Sequence, residues 1–185
     1  MKICLLILLC SISGYLAGQP VCASVEEKKL YDFIMSYRKS KRLKPIPYSE
    51  KMTRVAQTHV RDLVEHFDYE NRGDCNPHSW SDKGSWTPCC YTPDHRQAKC
   101  MWNKPKEISG YEGEGYEIAF YSSDHAEALE ALEGWKGSTG HNPLLVNSGT
   151  WSTLEWKAIG VGIYGQYAVV WFGILEDPST LVVCK

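Results

Sequence analysis

Residues 158–173 read AIGVGIYGQYAVVWFG, and they decide the fold of this chain. Two runs rich in β-branched and aromatic residues flank Gly165-Gln166, and such runs favour strands. Glycine at the first position of a two-residue loop is typical of the tight turn that joins antiparallel strands. The stretch therefore predicts a β-hairpin, and GYEIAFY at 115–121 and the end of the chain at 180–184 predict two further strands.

Three amphipathic helices are predicted outside these strands. Ser24 heads a helix-capping box, Ser49 caps a second helix, and a third helix begins at Asp124 and ends at Gly137 or Gly140. Apolar residues recur at helical intervals in each of them. The apolar faces are Leu30, Phe33, Ile34 and Tyr37 in the first helix, Met52, Val55, Ala56, His59, Val60 and Leu63 in the second, and Ala128, Leu129, Leu132 and Trp135 in the third.

The order of these elements predicts an α+β fold. Helices and antiparallel strands do not alternate as βαβ units, so we expect a helix layer against a small antiparallel sheet. Residues 70–110 show no periodicity and contain four cysteines. This stretch predicts a long loop that is held by disulfides and not by a strand ladder.

The beginning of the sequence predicts export. Residues 3–12 are apolar and follow a lysine, and small residues come next, which is typical of a secretory signal peptide. The apolar run is too short to span a bilayer. We predict a signal peptide at 1–18 and one domain at 19–185, with a cleavage after Ala23 as the alternative to one after Gly18.

The cysteine count favours the earlier cleavage. Cys4 and Cys10 lie within the signal peptide, so a cut after Gly18 leaves six of the eight cysteines. A cut after Ala23 would also remove Cys22 and leave an odd number. An even number suits an oxidising, extracellular compartment.

Six cysteines allow fifteen pairings, and the sequence does not choose among them. The adjacent Cys89 and Cys90 are not expected to bond to each other, because the short link strains disulfide geometry. We expect the four cysteines between residues 75 and 100 to staple the central loop, and Cys22 to join Cys184 near the ends of the domain.

Composition narrows the classes of partner. The formal net charge is −2 and no basic block occurs, which argues against nucleic acids and anionic membrane surfaces. No later stretch is long and apolar enough for a membrane helix. We expect the protein to be a monomer. Seven tryptophans and eleven tyrosines can fill a core, but they can also line a binding groove.

Two of the six histidines stand out as candidates for a site. His59 falls on the apolar face of a helix, where a hydrogen-bonded core histidine is the simplest interpretation. His78 and His141 lie in irregular stretches among small and aromatic residues, as functional loop residues do. The remaining three have charged neighbours and are interpreted as surface residues: His66, His95 and His125.

Five motifs in order resemble those of one family. They are KPIP at 44–47 with RVAQTH at 54–59, His78-Ser79, GYEIA at 115–119, WKGSTGH at 135–141, and the hairpin region at 156–172. Together they resemble the CAP superfamily of cysteine-rich secretory proteins, antigen 5 proteins and pathogenesis-related type-one proteins. The resemblance covers essentially the whole chain after the signal peptide, and it implies an α-β-α sandwich.

The resemblance also implies a cleft in which two histidines and two glutamates can hold a divalent cation. The matching positions are His78, His141 and Glu117, while Ser138 stands where the second glutamate belongs. A hydroxyl in place of a carboxylate should hold a hard cation less well. Glu130 or Glu133 on the same helix would have to substitute, although helical geometry places neither of them where Ser138 lies.

The chemistry of these three residues permits more than one function. Two imidazoles and a carboxylate form a first shell for zinc with an open position, so a metal-assisted hydrolase using His78, Glu117 and His141 is one alternative. Another is that the three side chains only bond to one another and tie the loop to the sheet, in a purely structural secreted protein. No catalytic motif such as HExxH or GxSxG occurs, so we do not expect an enzyme.

The function that we predict is that of a secreted, non-enzymatic binding module. The resemblance implies roles in extracellular signalling, defence or venoms, with sterols or other lipids as ligands in some members. We therefore expect the partner to be an extracellular protein, which the sequence does not specify, or a lipid such as a sterol. Aromatic clefts suit flat apolar ligands. The loop that carries His78 offers four aromatic residues near the histidines: Trp80, Trp86, Tyr91 and Trp102.

Overall fold

The computed structural model describes residues 21–185. The predicted signal peptide at 1–18 lies outside the described residues, and the predicted domain at 19–185 is described from residue 21 onwards. The elements in chain order are α1 (Val25–Ser40), α2 (Glu50–His66), α3 (Ala98–Trp102), α4 (Lys104–Ser109), β1 (Gly115–Tyr121), α5 (Ala128–Gly137), α6 (Asn142–Leu145), a 3₁₀ turn (Gly149–Trp151), β2 (Ala158–Tyr164) and β3 (Tyr167–Gly173).

The three strands form one antiparallel sheet in the order β1-β3-β2. The predicted hairpin is confirmed, since Tyr164 pairs with Tyr167 across the turn and Gly165 adopts a left-handed φ of 53°. The strand predicted at 180–184 is wrong. There the chain makes a single bridge, between Val183 and Ala23, because it runs beside the N-terminal segment and not along the sheet.

Side chains of β3 alternate between two hydrophobic cores, one on each side of the sheet. Ala168, Val170 and Phe172 belong to the core that includes α1, α5 and α6, whereas Val169 and Trp171 belong to the core under α2. The sheet therefore lies between two helix layers, which confirms the predicted α+β fold and its α-β-α sandwich.

Close approach of α2 to the sheet depends on glycine. A Cβ atom at Gly160 would lie 2.0 Å from the backbone carbonyl carbon of Met52, and one at Gly162 would lie 2.5 Å from that of Ala56. No side chain fits in that space. The alternating glycines of β2 thus let α2 pack directly on the strand, which places the helix close enough for its side chains to reach β1.

The first two helices begin as predicted. The Ser24 side chain accepts a hydrogen bond from the backbone N–H of Glu27, whose carboxylate accepts from the N–H of Ser24, and Ser49 caps α2. Among the residues from 21 onwards, no helix is long and apolar enough to cross a membrane.

The start of α5 differs from the prediction. It begins at Ala128 and not at Asp124, because the preceding segment bonds to the hairpin turn: Ser122 N–H donates to Gln166 O and Ala126 N–H donates to Gly165 O. Leu129 was expected to face inwards, but it is 54% exposed. The predicted end at Gly137 is confirmed.

The central loop contains two short helices that the sequence did not predict, α3 and α4, of five and six residues. The predicted disulfides are confirmed as Cys75–Cys90 and Cys89–Cys100 in the loop, with Cys22–Cys184 near the ends of the domain. Helices of one or two turns leave little periodicity in a sequence, which is why they were missed.

Candidate functional site

Glu117 lies at the centre of the candidate site. It is the third residue of β1, and strand alternation turns its side chain towards α2, where it is 5% exposed. Its Oε1 is 2.5 Å from His59 Nδ1, and its Oε2 is 2.8 Å from His78 Nδ1. Both carboxylate oxygens are thus engaged by imidazoles, one from α2 and one from the central loop.

His59 is fully buried, and both of its ring nitrogens are within hydrogen-bond distance of an oxygen atom. Its Nδ1 faces the Glu117 carboxylate, and its Nε2 lies 2.9 Å from the carbonyl oxygen of Ser79. Both of these neighbours are oxygen atoms that can accept a hydrogen bond. The indole of Trp80 stacks on the imidazole at 4.0 Å between ring centroids, with the planes 6° apart. The His59 ring is therefore enclosed by a carboxylate, a carbonyl oxygen and an indole.

Glu117 is held in its ionised form. Burial alone would raise the pKa of this carboxyl group, but the charges and hydrogen bonds of His59 and His78 outweigh burial, and the pKa lies below its usual value. A buried carboxylate is tolerated only where such partners compensate it. Glu117 can therefore carry a negative charge in the interior because the two imidazoles compensate its burial.

The disulfide-held loop delivers His78 to the site. The loop folds back on itself through the bridge between Trp80 and Cys89, and Cys90 is bonded to Cys75. The Asn76 side chain accepts a hydrogen bond from the backbone N–H of His78 at 3.0 Å. These contacts hold the His78 ring against Glu117.

His141 lies beside this cluster without bonding to it. Its ring centroid is 6.4 Å from that of His78. Burial and, to a lesser extent, the nearby His78 lower the pKa of His141 against the opposing charge of Glu117, and together these effects bring it to about 4. At neutral pH the imidazole is therefore uncharged, with one nitrogen that donates and one that accepts.

Ser138, where the resemblance implied a glutamate, has a local role. Its hydroxyl oxygen accepts a hydrogen bond from the backbone N–H of His141 at 3.3 Å, and its carbonyl accepts from Asn142. The serine thus fixes the turn that presents His141. Glu130 and Glu133 are both exposed and do not line the cleft.

A cleft of about 520 Å³ opens from these histidines along β1. Tyr91 and Trp102 line it, as predicted, but Trp80 and Trp86 do not. Those two indoles pack on each other at 5.1 Å on the far side of His59. The remaining lining residues are Asn76, His78, His95, Ala98, Met101, Tyr116, Glu117, Ile118, Gly140, His141, Leu144, Thr150 and Trp151.

The arrangement does not present a ready metal site. Two imidazoles that share one zinc ion have ring centroids roughly 5 Å apart, because Zn–N bonds of about 2.1 Å meet near the tetrahedral angle. The rings of His78 and His141 are 6.4 Å apart, and both oxygens of Glu117 are already bonded. Among residues 21–185, no three side chains of histidine, cysteine, aspartate or glutamate are grouped so that they could hold a metal ion. A divalent cation on His78, Glu117 and His141 stays a prediction.

Sequence reasoning identified His78, Glu117 and His141 but left His59 out of the site. The interpretation of His59 as a hydrogen-bonded core residue is confirmed, yet its partner is the central carboxylate. One signal was present. A histidine on an apolar helix face and a glutamate inside an apolar strand are both costly when buried alone, so a pair between them could have been expected.

The fold and the site together define an α-β-α sandwich with a histidine–glutamate cleft. The model of the cysteine-rich secretory protein family, CAP, matches residues 31–171. The chain therefore belongs to the CAP family. No curated protein matches the sequence.

Solved structures share the fold at low sequence identity. An extracellular protein containing an SCP domain from Bacillus anthracis is 17% identical, with a TM-score of 0.54 over 81% of this chain and 40% of that one. A cysteine-rich secretory protein from Staphylococcus aureus is 14% identical, with a TM-score of 0.52 over 81% of this chain and 39% of that one. An outer surface protein from Borrelia burgdorferi is 18% identical, with a TM-score of 0.52 over 84% and 97%. The chain spans about two fifths of the length of the first two proteins.

Proposed function

We propose that this protein is an extracellular, non-enzymatic binding module whose cleft takes a flat apolar ligand with one hydroxyl or carbonyl group, such as a sterol. The observation that carries the proposal is the cleft itself. Its lining is largely aromatic and aliphatic, and three of its polar residues, His78, Glu117 and His141, lie together and form what we call its polar end. Sites of this kind bury most of a small ligand and orient it by a few polar contacts.

The apolar part of the cleft is built from rings in mutual contact. Tyr116 lies between Trp102 and Trp151, with ring centroids 5.4 Å and 5.1 Å away. Met101 and Leu144 complete the wall. A flat ligand gains from this surface because it can lie against several rings at once and remove their area from water.

The polar end favours a neutral group over a charged one. His141 is uncharged at neutral pH, since burial lowers its pKa to about 4, and its ring can both donate to and accept from a hydroxyl. Glu117 is already neutralised by two imidazole donors. A ligand hydroxyl can therefore be recognised at His141 without disturbing the buried pair.

The same contacts argue against a hydrolase. A general base must accept a proton from water, but both oxygens of Glu117 already accept hydrogen bonds, and one of the donors is fully buried.

Extracellular location is supported by the family, whose members are described as secretory, and by the three disulfides.

Binding of the fluorescent sterol dehydroergosterol, followed by its anisotropy, tests the polar end of the cleft. We expect saturable binding to the wild-type protein and about 5- to 20-fold weaker binding to His141→Ala, which loses one hydrogen bond and some packing. His125→Ala is the matched control, because His125 is exposed and outside the cleft. Equal affinity in His141→Ala, or no binding to the wild type, would contradict the proposal.

A divalent cation is a second ligand for this end of the cleft. The uncharged His141 ring could bind it together with His78, provided that the His141 ring moves by about 1 Å towards His78. The metal content of the folded protein, compared between the wild type and His141→Ala, tests this. Equal content in the two would exclude a shared site.

A further inference from the structure

A second pocket surrounds the buried Arg38. It has a volume of about 370 Å³ and shares no lining residue with the histidine cleft. Arg38 is in the last turn of α1 and is 4% exposed. The walls come from the connector before α2 and from the segments that flank β2 and β3: Lys44, Pro45, Pro47, Glu155, Trp156, Lys157, Glu176 and Pro178.

Within residues 21–185, no carboxylate is bonded to the guanidinium of Arg38. Its Nε donates to Lys44 O at 3.1 Å, and its Nη1 donates to Leu145 O at 2.7 Å and to Asn147 Oδ1 at 2.8 Å. All three acceptors are neutral. Burial accordingly lowers the pKa of this guanidinium to about 10. Buried arginines are usually paired with an anion, so a neutral set of partners needs an explanation.

One nitrogen of the guanidinium remains available. Within residues 21–185, Nη2 has no hydrogen-bond partner, whereas Nε and Nη1 are both used. Among the same residues, the side-chain nitrogen and oxygen atoms that are fully enclosed and have no hydrogen-bond partner are Tyr48 Oη, Thr53 Oγ1, Trp80 Nε1 and Trp171 Nε1. Arg38 Nη2 is not among them. Nη2 is therefore not fully enclosed, and Arg38 is one of the residues that line the pocket.

Two lysines at the rim of the pocket add positive charge, and each forms only a long ion pair with a glutamate. Lys44 Nζ is 3.4 Å from Glu155, and Lys157 Nζ is 3.6 Å from Glu176. The side chains of both glutamates are more than half exposed, at 63% and 75%. Exposed pairs of this length contribute little, so either lysine can turn to an incoming anion at small cost.

We propose that this pocket binds the carboxylate of a small organic monoanion, which accepts from Arg38 Nη2 and is attracted by Lys44 and Lys157. The apolar body of the anion lies against Pro45, Pro47 and Pro178. A dianion such as phosphate is less suited, because Glu155 and Glu176 at the rim repel a second negative charge. A single free guanidinium nitrogen can also bond to one carboxylate oxygen, whereas a bidentate bond would need two free guanidinium nitrogens.

Benzoate and its neutral isostere benzamide provide the test, in ¹H–¹⁵N spectra at pH 7 and low salt. We expect saturable benzoate shifts of the amides of Lys44, Glu155 and Lys157, little response to benzamide, and weaker benzoate binding as salt is added. Equal responses to the two compounds, or benzoate shifts centred on His78 and His141, would overturn the proposal.

Rim variants keep the test independent of the folding role of Arg38. Lys157→Gln should bind benzoate about 2- to 5-fold more weakly, and Glu155→Gln about 2-fold more tightly, since each changes one exposed charge at the pocket. Lys83→Gln, at an exposed lysine outside the pocket, is the control and should bind as the wild type does. If Lys157→Gln binds benzoate as tightly as the control does, the pocket is not the binding site.

Discussion

Glu117 illustrates how single residues in this protein are stabilised in pairs. Its carboxylate is buried in an otherwise apolar strand and is ionised only because His59 and His78 each donate to one oxygen. Removing one member of such a set leaves the others with an uncompensated polar group in the interior. The stability that this site contributes therefore depends on His59, His78 and Glu117 together and not on any one contact.

Glu117→Gln should lower the free energy of unfolding by about 2–4 kcal/mol, because the amide keeps an acceptor oxygen at only one of the two positions that face His59 and His78. Glu130→Gln is the control, since Glu130 is exposed, and it should change stability by less than about 0.5 kcal/mol. Denaturant unfolding at pH 7 measures both. A loss for Glu117→Gln no larger than for the control would show that the buried pair is not stabilising.

His141 should make stability depend on pH. Its folded-state pKa of about 4 lies below the ordinary 6.5, so its contribution is complete above pH 6.5 and is lost as pH falls towards 4. Over that window the wild type should lose about 1–3 kcal/mol more than His141→Gln, which has no titrating group there. Parallel stability curves for the two proteins between pH 7 and pH 4 would contradict the assignment.

At the scale of elements, the three strands of the sheet could be predicted from the sequence, whereas the short helices could not and the strand predicted at 180–184 does not form. The three strands of the sheet begin and end where their β-branched and aromatic runs do, because both faces of the sheet are buried. The start of α5 was misplaced, since the backbone of residues 122–126 bonds to the hairpin turn in preference to forming a helical turn. Such a tertiary contact leaves no local pattern.

Gly160→Ala tests the packing of α2 on β2. The new methyl group would meet the backbone of Met52 and Thr53 at about 2 Å, so helix and strand must separate, and we expect a loss of about 2–4 kcal/mol. Gly137→Ala is the matched control, because nothing lies within 4 Å of its Cβ position. Thermal unfolding of the two variants decides the matter, and a Gly160→Ala protein as stable as the control would mean that the contact is not tight.

At the scale of the whole molecule, the site depends on parts of the chain that are distant in sequence. Residues at positions 59, 78, 117 and 141 meet because a helix, a disulfide-held loop, a strand and a turn converge. The sequence could indicate His78, Glu117 and His141 through family motifs, but it could not show that His59 engages the same carboxylate. Which of the loop tryptophans face the cleft was likewise decided by the fold, since Trp80 packs inwards on His59.

The central claim is that the cleft takes a flat apolar ligand, and filling the cleft tests it most directly. Ala98 lines the cleft and is partly buried, whereas Leu129 is 54% exposed on α5 and lies outside it. The measurement is the affinity for dehydroergosterol in Ala98→Phe and in Leu129→Phe, with folding checked by thermal unfolding. The account predicts that Ala98→Phe binds at least about 10-fold more weakly while Leu129→Phe binds as the wild type does. Equal affinities in two folded variants would show that the ligand does not occupy this cleft.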